Sequence, residues 1–287
     1  MNWQDLNFFC AFARTGSLSA AAREFGVDHV TVGRRIAALE HDMGLRLVDR
    51  LPRSTVLTAA GRAFAAQAAL MEDHAHALAR QAREISSQAL CSVRISAPPA
   101  VATYLIAPQV ATFYQQHPHI TLVLSGLATL AALDRGEADI ALRMSRPDEP
   151  GLIAQRVGLM RFGLYARPDY AQRPPDTWQF VGYDPTLEQT TQQRWMRSLA
   201  NGRPLVFQAT DLRAQINAAL AGLGVVALPQ FMGNPDPQLQ RLNTPTPAPE
   251  VSIWLTTYPD LSHAPAIRAV MDFLAHVIGN ACPFDEQ

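Results

Sequence analysis

The chain has no lysine, and all 24 of its basic residues are arginine. Any phosphate contact must therefore use the planar guanidinium fork and not a flexible ammonium. Cysteine is nearly as scarce: Cys10, Cys91 and Cys282 are too few and too scattered for a disulfide framework or a zinc cluster. No apolar run approaches the ~20 residues that span a bilayer, so no membrane crossing is expected. The N-terminal stretch MNWQDLNFFCAFART carries an acid early and has no basic segment ahead of an apolar core. It does not read as a secretory signal, and a cytoplasmic location is expected.

Catalytic signatures are missing as well. There is no Gly-x-Ser-x-Gly and no phosphate-binding loop. His74 and His76 lie two apart on a helical stretch and cannot share a face, while His117 and His119 flank Pro118 in a turn. Gly222 and Gly224 precede a strand, where a dinucleotide loop would follow one. No enzyme activity, metal or cofactor is expected.

What is present is an ordinary globular balance, 48% apolar and 17% charged, over 287 residues. That length suits two or three compact units of roughly 100 to 200 residues each. The net charge of −1 hides an asymmetry. Residues 1–62 hold eight arginines against six acids, and the remainder holds sixteen against nineteen.

The basic segment reads as helix, tight turn, helix. Leu6, Phe9, Cys10 and Ala13 recur on one helical face until Gly16. Ser17 can cap a short helix over residues 18–25, which Gly26 stops. Asp28 caps the next, with Val32, Ile36 and Leu39 as its buried stripe until Gly44. The opposite face presents His29, Val30, Gly33 and Arg34, placed to enter a major groove. Apolar pieces at residues 45–48 and 55–57, split by Asp49, Arg50, Pro52, Arg53 and Ser54, predict a hairpin with a basic tip. Thr58 then caps a long helix in which Phe64, Ala68, Met71, Ala75, Leu78, Ala82 and Ile85 form a heptad-like seam. Such a stripe needs a partner, and a dimerising linker helix is expected.

After Cys91 strand and helix alternate: strand 93–96, helix 103–116, strand 120–124, helix 129–135, strand 138–142. A second unit follows, with strands at 162–166, 180–182, 205–207 and 225–228 and helices at 192–199 and 212–221. Beyond a Pro-rich stretch, 229–249, come a strand at 251–256 and a final helix at 266–278, expected to return to the first lobe.

The run GSLSAAAREFGVDHVTVGRRIAALEHDMGLRLVDR, followed by LTAAG, resembles the DNA-binding domain and linker entry of LysR-type transcription regulators. LDRGEADIALR, FGLYARPDY and AGLGVVALP resemble the same family's effector domain. The resemblance implies an α+β multidomain chain. Its parts are a winged helix-turn-helix at 1–58, a linker helix at 59–90 and a two-lobed α/β domain of periplasmic-binding-protein type at 91–287. Lobe I would hold residues 91–161 and 263–287, and lobe II residues 162–262. The implied function is that of a regulator whose binding to double-stranded DNA is modulated by a small-molecule effector held between the lobes. The implied assembly is a homodimer through the linker and a homotetramer of two such dimers, with RNA polymerase as a further candidate partner.

By matching position, His29, Val30, Thr31, Gly33 and Arg34 approach DNA from the recognition helix, with Arg50 and Arg53 near the wing. The chain departs from the common Ser-Gln-Pro or Ser-Gln-Ser at Asp28, His29 and Val30, and from Ser at Gly33. A shifted base preference is therefore expected. The fold implied for the effector domain puts ligand contacts at strand ends and helix N-termini: Ser96, Ala97, Ala100, Val101, Ser125, Gly126, Thr129, Arg143, Thr210 and Val225. Pro98 and Pro99 remove two N–H donors from the first of these loops, which argues against an anion nest there. Arg143 keeps an anionic effector in view.

Overall fold

The computed structural model describes residues 2–51, 54–86, 91–126, 138–147 and 151–284. The chain divides into two compact units, Met1–Arg83 and Glu84–Gln287.

The first unit holds α1 (Trp3–Thr15), α2 (Leu18–Phe25), α3 (His29–Met43), β1 (Val48–Leu51), β2 (Ser54–Leu57) and most of α4 (Ala59–Ser86). Each expected cap is in place. The Ser17 side chain accepts from Ala20 N at 3.4 Å, Asp28 Oδ1 from Thr31 N at 2.6 Å, and Thr58 Oγ1 from Gly61 N at 2.8 Å. Between α2 and α3 the chain turns at Gly26, whose φ of 63° would strain a side-chain-bearing residue. Leu6, Phe9, Phe12, Val32, Ile36 and Leu39 close the core, and Phe64 of α4 meets Phe9 edge-on at 5.6 Å.

The hairpin pairs Val48 with Leu57 and Leu51 with Ser54, antiparallel. Its first strand begins at Val48, three residues later than the apolar run 45–48 suggests. Residues 45–47 are held by caps, not by a ladder: the Glu40 carboxylate takes the Leu47 N–H and Leu47 O takes the Thr58 N–H.

In the second unit β3 (Cys91–Ser96), β4 (Ile120–Ser125) and β5 (Ile140–Arg143) are parallel, in the order β4-β3-β5. The helix expected over 103–116 is a longer helical run of mixed pitch. It holds a turn at Pro99–Val101, a π segment at Ala102–Ile106, a 3-10 turn at Ala107–Gln109, and α5 (Val110–Gln116). Pro108 lacks an N–H and its ring crowds the preceding turn, so the regular α ladder cannot pass through it. The helix expected at 129–135 lies outside the described residues.

Downstream of β5 come β6 (Ile153–Ala166), β7 (Phe180–Gly182), α6 (Thr191–Ala200), β8 (Leu205–Gln208) and α7 (Leu212–Leu220). They are followed by β9 (Val225–Pro229), β10 (Gln240–Leu242), β11 (Glu250–Thr257) and α8 (Pro265–Ala281). The strand order runs β4-β3-β5-β11-β6-β9-β7-β8, with β10 beside β6.

One strand is longer than expected, and another corrects the expected lobe division. β6 is one strand of 14 residues, not the five of 162–166. Its first part pairs with β11 from Ile153 to Arg161, and its second pairs with β9 from Phe162 to Tyr165. β11, expected in lobe II, sits between β5 and β6 in the first lobe's sheet, with Ile253 and Leu255 fully buried there. Backbone pairing on both sides satisfies its polar groups, which no position at the edge of lobe II would do. α8 packs on the same lobe, its Phe273 ring 4.9 Å from that of Phe113.

Candidate DNA interface and effector cleft

On α3 the residues expected to face DNA are the ones the core leaves out. Val32, Ile36 and Leu39 are buried, whereas His29, Val30 and Arg34 are exposed and Thr31 and Gly33 are half-buried. Val30 is 66% exposed, so a β-branched side chain stands in water at the start of the helix. Asp28 is held below the usual carboxylate range, chiefly by the Thr31 N–H and then by the Thr31 hydroxyl. Its charge lies at the N-terminal end of α3, where the helix dipole favours an anion.

Arg35 and Arg50 have partners within this unit. Arg35 reaches back to buried Asp5 of α1 at 3.2 Å. Arg50, expected at the wing, turns toward α3 and donates to Gly33 O at 3.4 Å, with Glu40 Oε2 3.9 Å away. Arg53 lies outside the described residues. A link that sequence reasoning missed is Glu40, whose Oε1 accepts from both Leu47 N, at 2.7 Å, and Val48 N, at 2.9 Å. It ties α3 to the base of the hairpin. The one signal for it is a charged residue seven and eight positions ahead of buried backbone.

In the second unit the structure separates the expected effector residues into two sets. Ser96, Ser125, Gly126 and Arg143 gather at the C-terminal ends of β3, β4 and β5. Ser96 is fully buried and its Oγ accepts from Arg143 Nη1 at 3.3 Å, while the same nitrogen donates to Leu142 O at 3.0 Å. Ala100 is half-buried against the apolar cluster of the second lobe. Thr210 is exposed, immediately before Asp211, the N-cap of α7.

The other set corrects the expectation. Ala97, Val101 and Val225 are fully buried members of the main core. The Ala97 N–H is bound to Ser125 O and the Val225 N–H to Gln179 O, so the side chains of this set lie in the core and two of its N–H groups are already taken. Alternation placed them at strand and helix ends but could not say which way they point. Thr129 lies outside the described residues.

Polar groups missed by the sequence reading line the junction of the lobes. Tyr104, four residues after Ala100, packs beside it on the second lobe's cluster, and its Oη accepts from Arg213 Nη1 of α7 at 3.4 Å. Tyr183 packs on the same cluster, and burial, followed by the charge of Asp211, pushes its phenol up to about 12. It therefore remains a proton donor throughout the physiological range. Its backbone is fixed by Gln193, which accepts from Tyr183 N and donates to Tyr183 O.

A separate concavity of about 750 Å³ lies between α5 and α8, lined by Phe113, His117, His263, Arg268, Phe273 and His276 among others. None of the expected effector residues borders it. Among the described residues no group of three or more His, Cys, Asp or Glu is placed to hold a metal, and no helix is long and apolar enough to cross a membrane.

Known proteins carry both halves of this arrangement. Residues 3–62 match the model of the bacterial regulatory helix-turn-helix protein, lysR family, and residues 87–278 match the LysR substrate binding domain. A helix-turn-helix unit joined to a two-lobed substrate-binding domain defines a DNA-binding transcription regulator controlled by a small-molecule effector. The chain belongs to the LysR family of such regulators.

It is 29% identical over 290 residues to the Mau operon transcriptional activator of Paracoccus denitrificans, covering 99% of each chain. It is 30% identical over 301 residues to an HTH-type transcriptional regulator of Xanthomonas campestris pv. campestris, covering 94% of this chain and 84% of that one. Among solved structures, CrgA of Neisseria meningitidis superposes with a TM-score of 0.57 at 24% identity, over 98% of this chain and 100% of that one. The full-length virulence activator AphB of Vibrio cholerae gives 0.54 at 25%, over 96% and 99%.

Proposed function

We propose that this regulator reads its operator through His29, Val30, Thr31, Gly33 and Arg34 of α3, and that Arg53 reaches the DNA backbone from the wing. Arg50 serves instead to hold the hairpin against α3. The observation that carries this reading is the division of α3 into a core face and a solvent face, with Arg35 and Arg50 already engaged inside the unit. Base-edge contacts fall to the residues left outside. Selection of binding sites from random DNA with wild-type protein and Arg34→Ala tests it. Loss of preference at one position of each half-site is expected, and an unaltered preference would remove Arg34 from the base edges.

In this reading two copies join along the free part of the α4 seam and pair again into a homotetramer, so that two recognition helices meet successive major grooves. The effector, an anion, enters between the lobes beside Ser96, Ala100, Ser125, Gly126, Arg143 and Thr210. The protein works in the cytoplasm, where its DNA is. RNA polymerase is a further partner, in keeping with a relative that is named as a transcriptional activator.

A further inference from the structure

We propose that Arg213 and Tyr104 form the effector gate of this protein: a small carboxylate entering between the lobes takes the Arg213 guanidinium away from the Tyr104 phenol. The proposal rests on the reading that the effector binds between the lobes, and it names the cation that receives it.

Arg143 is the cation that sequence reasoning selects, and in the structure its Nη1 is engaged by groups of its own lobe. Its Nη1 donates to Ser96 Oγ and to Leu142 O, at 3.3 and 3.0 Å. Arg213 is placed differently. It is the second residue of α7, and its guanidinium leaves the second lobe to reach Tyr104 of the first, 109 positions away in sequence. Tyr104 and Ala100 rest on the apolar cluster formed by Leu212, Ile216 and Val226 of the second lobe, so the phenol is delivered to the guanidinium by packing.

The bond between them is long and exposed, and it joins a cation to a neutral acceptor. A carboxylate satisfies the same guanidinium with two forked bonds to an opposite charge, where the phenol offers one long bond to a neutral oxygen. The exchange therefore favours the carboxylate, and it removes a direct bond between the lobes as it occurs. Occupancy of the cleft is in this way coupled to the relation between the lobes, as a ligand with different affinity for two arrangements requires.

Asp211 limits which anions fit. Its carboxylate caps α7, accepting from Arg213 N at 3.0 Å, and after burial its charge is the further cause that raises the pKa of Tyr183. A carboxylate crowded against Asp211 is repelled, so the anion must approach from the side of Tyr104. There the released phenol can donate to it. The favoured ligand is a small molecule with one carboxylate for Arg213 and an apolar body to lie on Ala100 and the second-lobe cluster.

The test uses the full-length protein and thermal-shift titration with benzoate, salicylate, 4-hydroxybenzoate and phenylacetate, each paired with its neutral amide. At least one acid should raise the wild-type melting temperature while its amide does not. Arg213→Gln should weaken that acid by at least about tenfold, the worth of one hydrogen bond to a charged group. Tyr104→Phe keeps the ring packing but removes the competing phenol acceptor, so it should leave the acid bound without that loss and abolish any advantage of acids carrying a hydroxyl acceptor. Three results overturn the gate: no acid shifts the wild type, amides shift it equally, or Arg213→Gln binds as the wild type does. Loss of binding in Arg143→Gln with retention in Arg213→Gln would sink the gate and leave the cleft reading standing. Full retention in both variants would remove the cleft reading too.

Discussion

Glu40 and His29 stand on the same helix and do opposite work, one fixed by protein and the other left to the solvent. The Glu40 carboxylate accepts from the N–H groups of Leu47 and Val48, both of them buried residues. Glu40→Ala would leave two buried donors unsatisfied at the base of the hairpin and should cost about 2 kcal/mol of stability in the N-terminal unit. Glu40→Gln retains a carbonyl acceptor and should cost clearly less. Denaturant unfolding of both variants checks this, and equal losses would mean that the charge, not the acceptor, is what matters.

For His29 the prediction concerns base preference. Neutral histidine has one donor and one acceptor on opposite sides of its ring, so it cannot match the adenine edge as glutamine does. His29→Gln should shift the preferred base at one position of each half-site by ~1–3 kcal/mol of discrimination while leaving non-specific affinity unchanged. Parallel selection from a random pool reads this directly. An unaltered preference would put His29 off the base edges. Both residues are visible in sequence as polar positions on a helix, but only packing distinguishes them. Periodicity shows which face is apolar and does not show that Arg50 folds back onto Gly33, or that Arg213 crosses between lobes to Tyr104.

At the scale of elements, the helices of the first unit were legible because their starts are written in local chemistry. Ser17, Asp28 and Thr58 cap where a hydroxyl or carboxylate precedes an apolar stripe, and helix α2 has the bounds expected of it. The long strand β6 was half missed. Residues 153–161 pair with β11 and have an irregular inside–outside pattern, so the period-two signal that marks a half-buried strand is weak.

The seam of α4 divides in an instructive way. Phe64 and Ala68 are used by the core of their own unit, whereas Met71 is 41% and Leu78 67% exposed. An apolar seam that is covered at Phe64 and Ala68 and open at Met71 and Leu78 calls for a second helix over the open positions. Met71→Glu combined with Leu78→Glu would place carboxylates in that contact and should break the dimer, taking DNA affinity with it. Sedimentation across a concentration series checks this. A double variant that keeps its assembly throughout would show that this stretch of α4 is not the dimer contact.

Across the whole molecule, two lobes were readable from the alternation of strands and helices, and β6 changes partner at the expected bound between residues 161 and 162; what was not readable is that one unbroken strand carries that crossing and that β11 returns to the first lobe. Arg161 stands at that point. It pairs in register with Glu250 at the start of β11, and its side chain donates through Nε to Glu250 Oε1 at 2.8 Å. Its other two nitrogens donate to Pro283 O at 2.7 Å and Phe284 O at 2.8 Å, in the chain that follows α8. One guanidinium thus holds together the strand that crosses the lobes, the strand that returns and the end of the last helix. Lysine cannot do this, since a single ammonium on a flexible stem does not match three acceptors fixed in a fan. Arg161→Ala should therefore cost about 2 kcal/mol in the effector-binding unit, and Arg161→Lys should recover less than half of that. The side chain is only 12% exposed, so solvent screening removes little of the effect. Calorimetry should show the transition of residues 84–287 lowered in both variants. The salt dependence of non-specific DNA binding, which belongs to the other unit, should not move. If Arg161→Lys unfolds like the wild type, the fan of bonds is not what holds the lobes at their crossing.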